Sequence, residues 1–291
     1  MRIYLDCIPC FYRQALEAAR ITGANEIIQK KIINEISQLI PNFSLDANPP
    51  DMGRTIYTLV RKITGVKDPF KEIKENSNKF ALNLYPELKQ KIESSEDRLL
   101  TALKLSIAGN VIDYGVKNLI NVEEEINKIF NEDFKSDNDN NKTVFRYQEF
   151  KEILSKVKHI IYLADNAGDV VFDRLLIEEL TEKLGKQVIY AVRDKPVIND
   201  ALIEDALFCG INRTAKVVSS GSDAPGTLLK YCSPEFIRIY QKAELIISKG
   251  QGNYESLSEE NRPIFFLFKA KCPVIAKDVG CKIGDMVLES R

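Results

Sequence analysis

Four short polar segments each follow a run of β-branched and aromatic residues. They are Asp165-Asn166-Ala167-Gly168-Asp169, Arg193-Asp194-Lys195-Pro196 with Asn199-Asp200 just beyond, Ser219-Ser220-Gly221-Ser222-Asp223, and Lys249-Gly250-Gln251-Gly252-Asn253. Carboxylate and amide oxygens suit hard divalent cations such as Mg²⁺ or Mn²⁺. Asp165, Asn166 and Asp200 offer three such donors from neighbouring strand ends. A cation held there could polarise a phosphoryl oxygen and acidify a water. Lys249 adds a fixed positive charge for phosphate, and the backbone N–H groups of Ser220, Gly221 and Ser222 could form an anion-binding nest. Taken singly, Asp-Asn and Asn-Asp are ordinary turn and helix-cap pairs. Four such segments converging on one rim point to metal-assisted phosphoryl chemistry.

The elements that must bring these segments together are short strands alternating with helices. Strand-like runs occupy 159–164, 187–192, 215–219, 244–248, 264–268 and 273–277, with helical periodicity between them, as in 170–184. This alternation predicts a Rossmann-like three-layer α/β/α domain with a mixed, mostly parallel sheet and helices on both faces. The last two runs lie close together, so an antiparallel pair is expected at that edge. Ligands of such sheets bind beyond the carboxyl ends of the strands. Upstream, helical signals fill 9–22, 24–40, 52–65 and 68–96, with Pro69 and Pro86 as boundaries. We therefore expect an N-terminal helical bundle domain over 1–96 and an α/β metal-binding domain over 97–291. Within the second, 97–130 reads as helical, with an unusual segment at 108–115, and 130–145 reads as a polar surface loop.

Composition removes several alternatives. The chain has 291 residues, with 41 Lys+Arg against 42 Asp+Glu and a formal net charge of −1. That balance gives no footprint for nucleic acid or an acidic membrane. No apolar run is long enough to span a bilayer, and the opening MRIYLDCIPC carries no secretory pattern, so a cytoplasmic protein is expected. The single histidine, His159, argues against a Ser-His-Asp triad and excludes an H-E-x-x-H zinc site, and its place before an apolar strand suits a structural or surface role. Six scattered cysteines read as reduced thiols rather than a disulfide scaffold. Cys7-Ile8-Pro9-Cys10 leaves three readings open: packing, a metal site, or a redox pair at a helix start. A closed metal site would need two more ligands, which Cys272 and Cys281 could supply only if the fold brings the ends of the chain together. Gly250-Gln251-Gly252 lacks the third glycine of a dinucleotide fingerprint and follows a late strand, which weakly supports an oxidoreductase at most.

The chain resembles the DUF89 family, the ARMT1-like damage-control phosphatases, and within it the prokaryotic subfamily carrying an N-terminal CxxC. The resemblance rests on Cys7-x-x-Cys10 with Arg13-Gln14, Ala108-Gly109-Asn110-Val111-Ile112-Asp113, Asp165-Asn166-Ala167-Gly168, Asn199-Asp200, Ser220-Gly221-Ser222-Asp223 and Lys249-Gly250-Gln251-Gly252-Asn253. It implies a helical bundle followed by a Rossmann-like domain, with a divalent metal held by Asp165, Asn166 and Asp200. It also implies that Lys249 binds the substrate phosphate and that Asn110 reaches the same cleft. Members hydrolyse small phosphorylated metabolites, including sugar phosphates, with metals such as Mn²⁺, Co²⁺ or Ni²⁺. One departure is Asp169, where the family usually has Glu. The expected protein is thus a metal-dependent phosphatase in which Asp165 serves as ligand or nucleophile. The competing reading is a non-catalytic sensor of metal or phosphometabolite with the CxxC as a redox or metal element.

Overall fold

The computed structural model describes residues 1–110 and 144–291, so the expectations for Val111-Ile112-Asp113 and for most of the polar stretch after 130 lie outside the described residues. Five helices come first: α1 (Cys7–Ile21), α2 (Glu26–Leu39), α3 (Pro49–Thr64), α4 (Lys71–Glu93) and α5 (Arg98–Gly109). Local chemistry sets their ends. The Asn25 side chain accepts from Ile28 N at 3.1 Å and opens α2, and Asp97 does the same for Leu100 N at 3.0 Å to open α5. Pro49 and Pro50 sit in the first turn of α3, where a missing N–H costs nothing, and Gly65 ends it in the left-handed conformation. Pro86, expected as a boundary, lies inside α4, which runs through it as one helix.

The remainder is α6 (Tyr147–Lys156), β1 (His159–Leu163), α7 (Asp169–Glu178), β2 (Gln187–Val192), α8 (Ile203–Phe208), β3 (Lys216–Ser219), α9 (Pro234–Lys242), β4 (Leu245–Lys249), α10 (Gln251–Leu257), β5 (Ile264–Lys269), α11 (Pro273–Val279) and β6 (Met286–Ser290). The sheet order is β3-β2-β1-β4-β5-β6, parallel except for the antiparallel pair β5–β6. One strand expectation fails. The run 273–277 is helix α11, not strand, because Pro273 at its start and the Gly280 stop favour a short helix. The antiparallel edge strand is supplied by Met286–Ser290 instead.

Alternation along the strands divides the core. Ile160, Tyr162, Tyr190, Ile247 and Leu267 face α4, α5, α6 and α7, while Ile161, Leu163, Ile246, Phe266 and Phe268 face α9, α10 and α11. Both faces are covered, which is why β4 and β5 run apolar until their carboxyl ends. Each large side chain buried there contributes about 1.5–3 kcal/mol. A third cluster unites α1, α2 and α3 around Ile32, Ile36, Met52, Ile56 and Val60, and takes in Val197 from the loop after β2. The described helices include none long and apolar enough to cross a membrane.

Candidate active site

The strand order reverses between β1 and β4, and the crevice that this opens at their carboxyl ends is where open α/β sheets bind ligands. Asp165 emerges from β1 and Gly250 from β4, directly facing it. A side chain on Gly250 (φ 82°) would overlap the Asp165 carboxylate, so the close approach of these two loops requires glycine. Asn166 pairs with Asp200 in an isolated antiparallel bridge, with Ala201 N donating to Asp165 O at 2.8 Å and Ala167 N to Asn199 O at 2.8 Å. Backbone pairing thus brings the three proposed metal donors, 35 residues apart in sequence, to one place.

Around Asp165 the electrostatics are adverse. Burial, followed by the charges of Asp200 and Asp169, holds its carboxyl well above the usual range; Lys271 and Arg193 oppose this without reversing it. Asn166 Nδ2 donates to Asp165 Oδ2 at 3.0 Å and Asn110 Nδ2 to the same oxygen at 3.3 Å. Asn110 also donates to Asp169, so the end of α5 does reach the cleft. Its own Oδ1 is buried and accepts no hydrogen bond among the described residues.

Lys249 is fully buried, and its Nζ donates to Asp173 Oδ1 at 2.6 Å. Burial works to lower its pKa, but Asp173, Asp169 and Asp165 together raise it, so it stays charged. Asp173 also accepts from Tyr162 OH at 2.7 Å, Tyr190 OH at 2.8 Å and Ser106 Oγ at 3.1 Å. Sequence reasoning missed this hub. Its signal was a lone acid in the apolar run VVFDRLL, one helical turn after Asp169.

Arg193 was equally missed as a functional residue. From the end of β2 its guanidinium donates to Asp200 Oδ2 (2.7 Å), Thr227 Oγ1 (2.9 Å) and Asn253 Oδ1 (3.1 Å), tying three of the rim loops together. Ser220, Gly221 and Ser222 form a loop closed on itself: Gly221 N donates to Ser219 Oγ at 3.0 Å and Ser222 N to Ser220 Oγ at 3.2 Å. Those N–H groups would meet an anion only by leaving the serines. Helix α3 braces the rim from outside. Arg54 pairs with Asp223, Arg61 donates to Pro196 O, and Lys230 pairs with Asp51 at 2.7 Å. Ile198 has φ 45°, the one positive value among described non-glycine residues, and immediately precedes Asn199-Asp200. A β-branched residue there carries about 1–3 kcal/mol of strain, held by packing on the α1–α3 cluster.

Among the described residues no three His, Cys, Asp or Glu side chains form a ready metal cage. The donor chemistry nonetheless fits a divalent cation: two carboxylates and an amide oxygen source, in a pocket of like charges.

A doubly wound α/β sheet with an acid-lined crevice at its switch point defines the class of protein. The chain belongs to the damage-control phosphatase ARMT1-like domain family, whose model matches residues 3–287. It is 34% identical over 290 residues to a damage-control phosphatase of Pyrococcus horikoshii, covering 99% of this chain and 97% of that protein. A damage-control phosphatase of Archaeoglobus fulgidus is also 34% identical over 290 residues, covering 99% and 98%. The crystal structure of a DUF89 family protein from Pyrococcus horikoshii superposes with a TM-score of 0.88 at 32% identity, covering 100% of this chain and 99% of that one.

Proposed function

We propose that this protein is a metal-dependent phosphatase acting on small phosphorylated metabolites such as sugar phosphates. The observation that carries the reading is the meeting of Asp165, Asn166 and Asp200 at the switch point, with Asp165 crowded by like charge. A phosphatase activity also agrees with the names of its relatives. Asp165, Asn166 and Asp200 would hold a divalent cation, Mn²⁺, Co²⁺, Ni²⁺ or Mg²⁺, which supplies a Lewis acid for the phosphoryl group.

The chain's own residues do the rest. Arg193 fixes Asp200 through its Nε, and the Asn110 and Asn166 amides orient the Asp165 carboxylate. Asp165 acts as cation ligand or as nucleophile on phosphorus. Lys249 is the charged group best placed to receive phosphate, since Asp173 engages only part of its donor capacity and the Ser220–Ser222 amides are satisfied locally. Its positive charge would stabilise the transferring phosphoryl oxygens.

The test is hydrolysis of p-nitrophenyl phosphate by metal-stripped protein re-supplied with single divalent metals. Activity should depend on the metal and fall at least about a thousandfold in Asp165→Ala, a variant that keeps the wild-type circular dichroism spectrum. Folded protein that binds metal and turns over no phosphate monoester would instead be a sensor.

A further inference from the structure

Cys7 and Cys10 line a cavity of about 460 Å³, together with Arg13, Gln14, Glu255 and Cys272; Ile198, Pro225 and Gly252 of the rim loops border it, while Asp165, Asn166 and Asp200 do not. The fold therefore brings the two ends of the chain to one cavity. All three thiols are half-buried and free. A closed metal site is disfavoured, because no three ligating His, Cys, Asp or Glu side chains are assembled among the described residues.

The two thiols of the motif are unequal. Cys10 Sγ accepts hydrogen bonds from Gln14 Nε2 at 3.3 Å and Arg13 Nη2 at 3.5 Å. One donor is cationic, and both lie within the first two turns of the same helix. A cationic donor in contact with a sulfur answers the negative charge that sulfur carries while it attacks a disulfide. Cys7 has no cationic donor: burial pushes its thiol up, a backbone hydrogen bond from Tyr4 opposes this only in part, and Glu255, Cys272 and Cys10 add to the rise. Positions three apart on a helix put the two β-carbons about 5–6 Å from each other, within easy reach of disulfide geometry after a small adjustment.

We propose that this cavity is a thiol–disulfide exchange site for low-molecular-weight disulfides, with Cys10 as the attacking sulfur and Cys7 as the resolving one. The Cys10 thiolate attacks one sulfur of the small disulfide RSSR. The S–S bond breaks, one RS⁻ leaves and takes a proton, and a Cys10–S–S–R mixed disulfide remains. Cys7 then gives up its proton and attacks Cys10 Sγ, expelling the second RS⁻, which is protonated in turn. In sum, RSSR is reduced to two RSH while Cys7 and Cys10 are oxidised to a disulfide. The cavity has room for the R group beside the pair, walled by Pro9, Pro49, Pro225 and Pro273.

Thiol oxidation is read here without any phosphatase turnover or added metal. Full-length protein, reduced, chelator-treated and desalted, is incubated with glutathione disulfide and followed by intact mass and peptide mapping. Wild type should lose two hydrogen atoms, with the disulfide mapping to Cys7–Cys10. Cys7→Ser should accumulate a stable single glutathione adduct on Cys10. Cys10→Ser should react at least about tenfold more slowly, and Arg13→Ala should slow attack, as loss of the cationic donor at the attacking sulfur requires. Thermal melts establish that each variant is folded. Reaction confined to Cys272 or Cys281, equal rates in Cys7→Ser and Cys10→Ser, or a wild type that keeps both thiols would overturn the assignment.

Discussion

Asp165 lies just past the end of β1 and Asp173 in α7, the helix that follows, and their surroundings are opposite. Asp173 is answered on every side: Lys249 Nζ at 2.6 Å, two tyrosine hydroxyls at 2.7 and 2.8 Å, and Ser106 at 3.1 Å. Asp165 receives amide donors at 3.0 and 3.3 Å while Asp200 and Asp169 crowd it with negative charge. A buried carboxylate with its cation and hydrogen bonds complete is a scaffold element. One kept at a crevice with its charge outweighed by like charges is arranged for a cation from outside. The contrast separates the carboxylate that holds Lys249 in place from the one that the crevice presents.

Breaking the balanced side should give the largest stability change. Lys249→Met leaves Asp173 buried without its ion partner and should cost about 3–5 kcal/mol in urea unfolding. Adding Asp173→Leu to that variant should recover part of the loss, because the uncompensated charge goes with it. On the other side, Gly250→Ala should act on catalysis more than on fold. Its methyl group would displace the Asp165 carboxylate, and misplacement on the scale of 1 Å costs about a hundredfold in turnover. Phosphatase assays and melts on the same preparation separate the two effects.

A third acid sharpens the comparison from outside the rim. Glu255 has Gln251 Nε2 as a donor at 2.9 Å, and burial pushes its carboxyl from 4.5 up to about 7. Because its folded pKa is raised, the native state keeps a proton that the unfolded chain has released between pH 4.5 and about 7. Its contribution to stability is therefore present at low pH and lost as pH rises through that window. Glu255→Gln should melt at a less pH-dependent temperature than wild type across it, the smallest of these effects and one that differential scanning calorimetry resolves.

Much of this was legible in sequence because strand ends announce themselves. Asp165-Asn166, Asn199-Asp200 and Lys249-Gly250 each interrupt an apolar run with polar residues and glycine, and a parallel sheet sends all of them to one rim. Burial of Lys249 was not legible, since a lysine at a strand end looks the same whether it meets solvent or Asp173. Arg193 and Asp173 were hidden for a related reason: Thr227 and Asn253, which Arg193 ties together, and Lys249, which Asp173 binds, lie on other elements at separations that no local pattern encodes. The edge strand was misplaced because PVIAK has strand-like composition, while its leading proline and following glycine decide for a helix.

The central claim is that Asp165, and not Asp173, is the carboxylate that takes a cation. Equilibrium titration of metal-stripped protein with Mn²⁺, followed by electron paramagnetic resonance, compares wild type with Asp165→Ala and Asp173→Asn, each first shown to be folded by circular dichroism. The account predicts that Mn²⁺ affinity falls at least about a hundredfold in Asp165→Ala and stays within about tenfold of wild type in Asp173→Asn. Wild-type affinity in Asp165→Ala would contradict it.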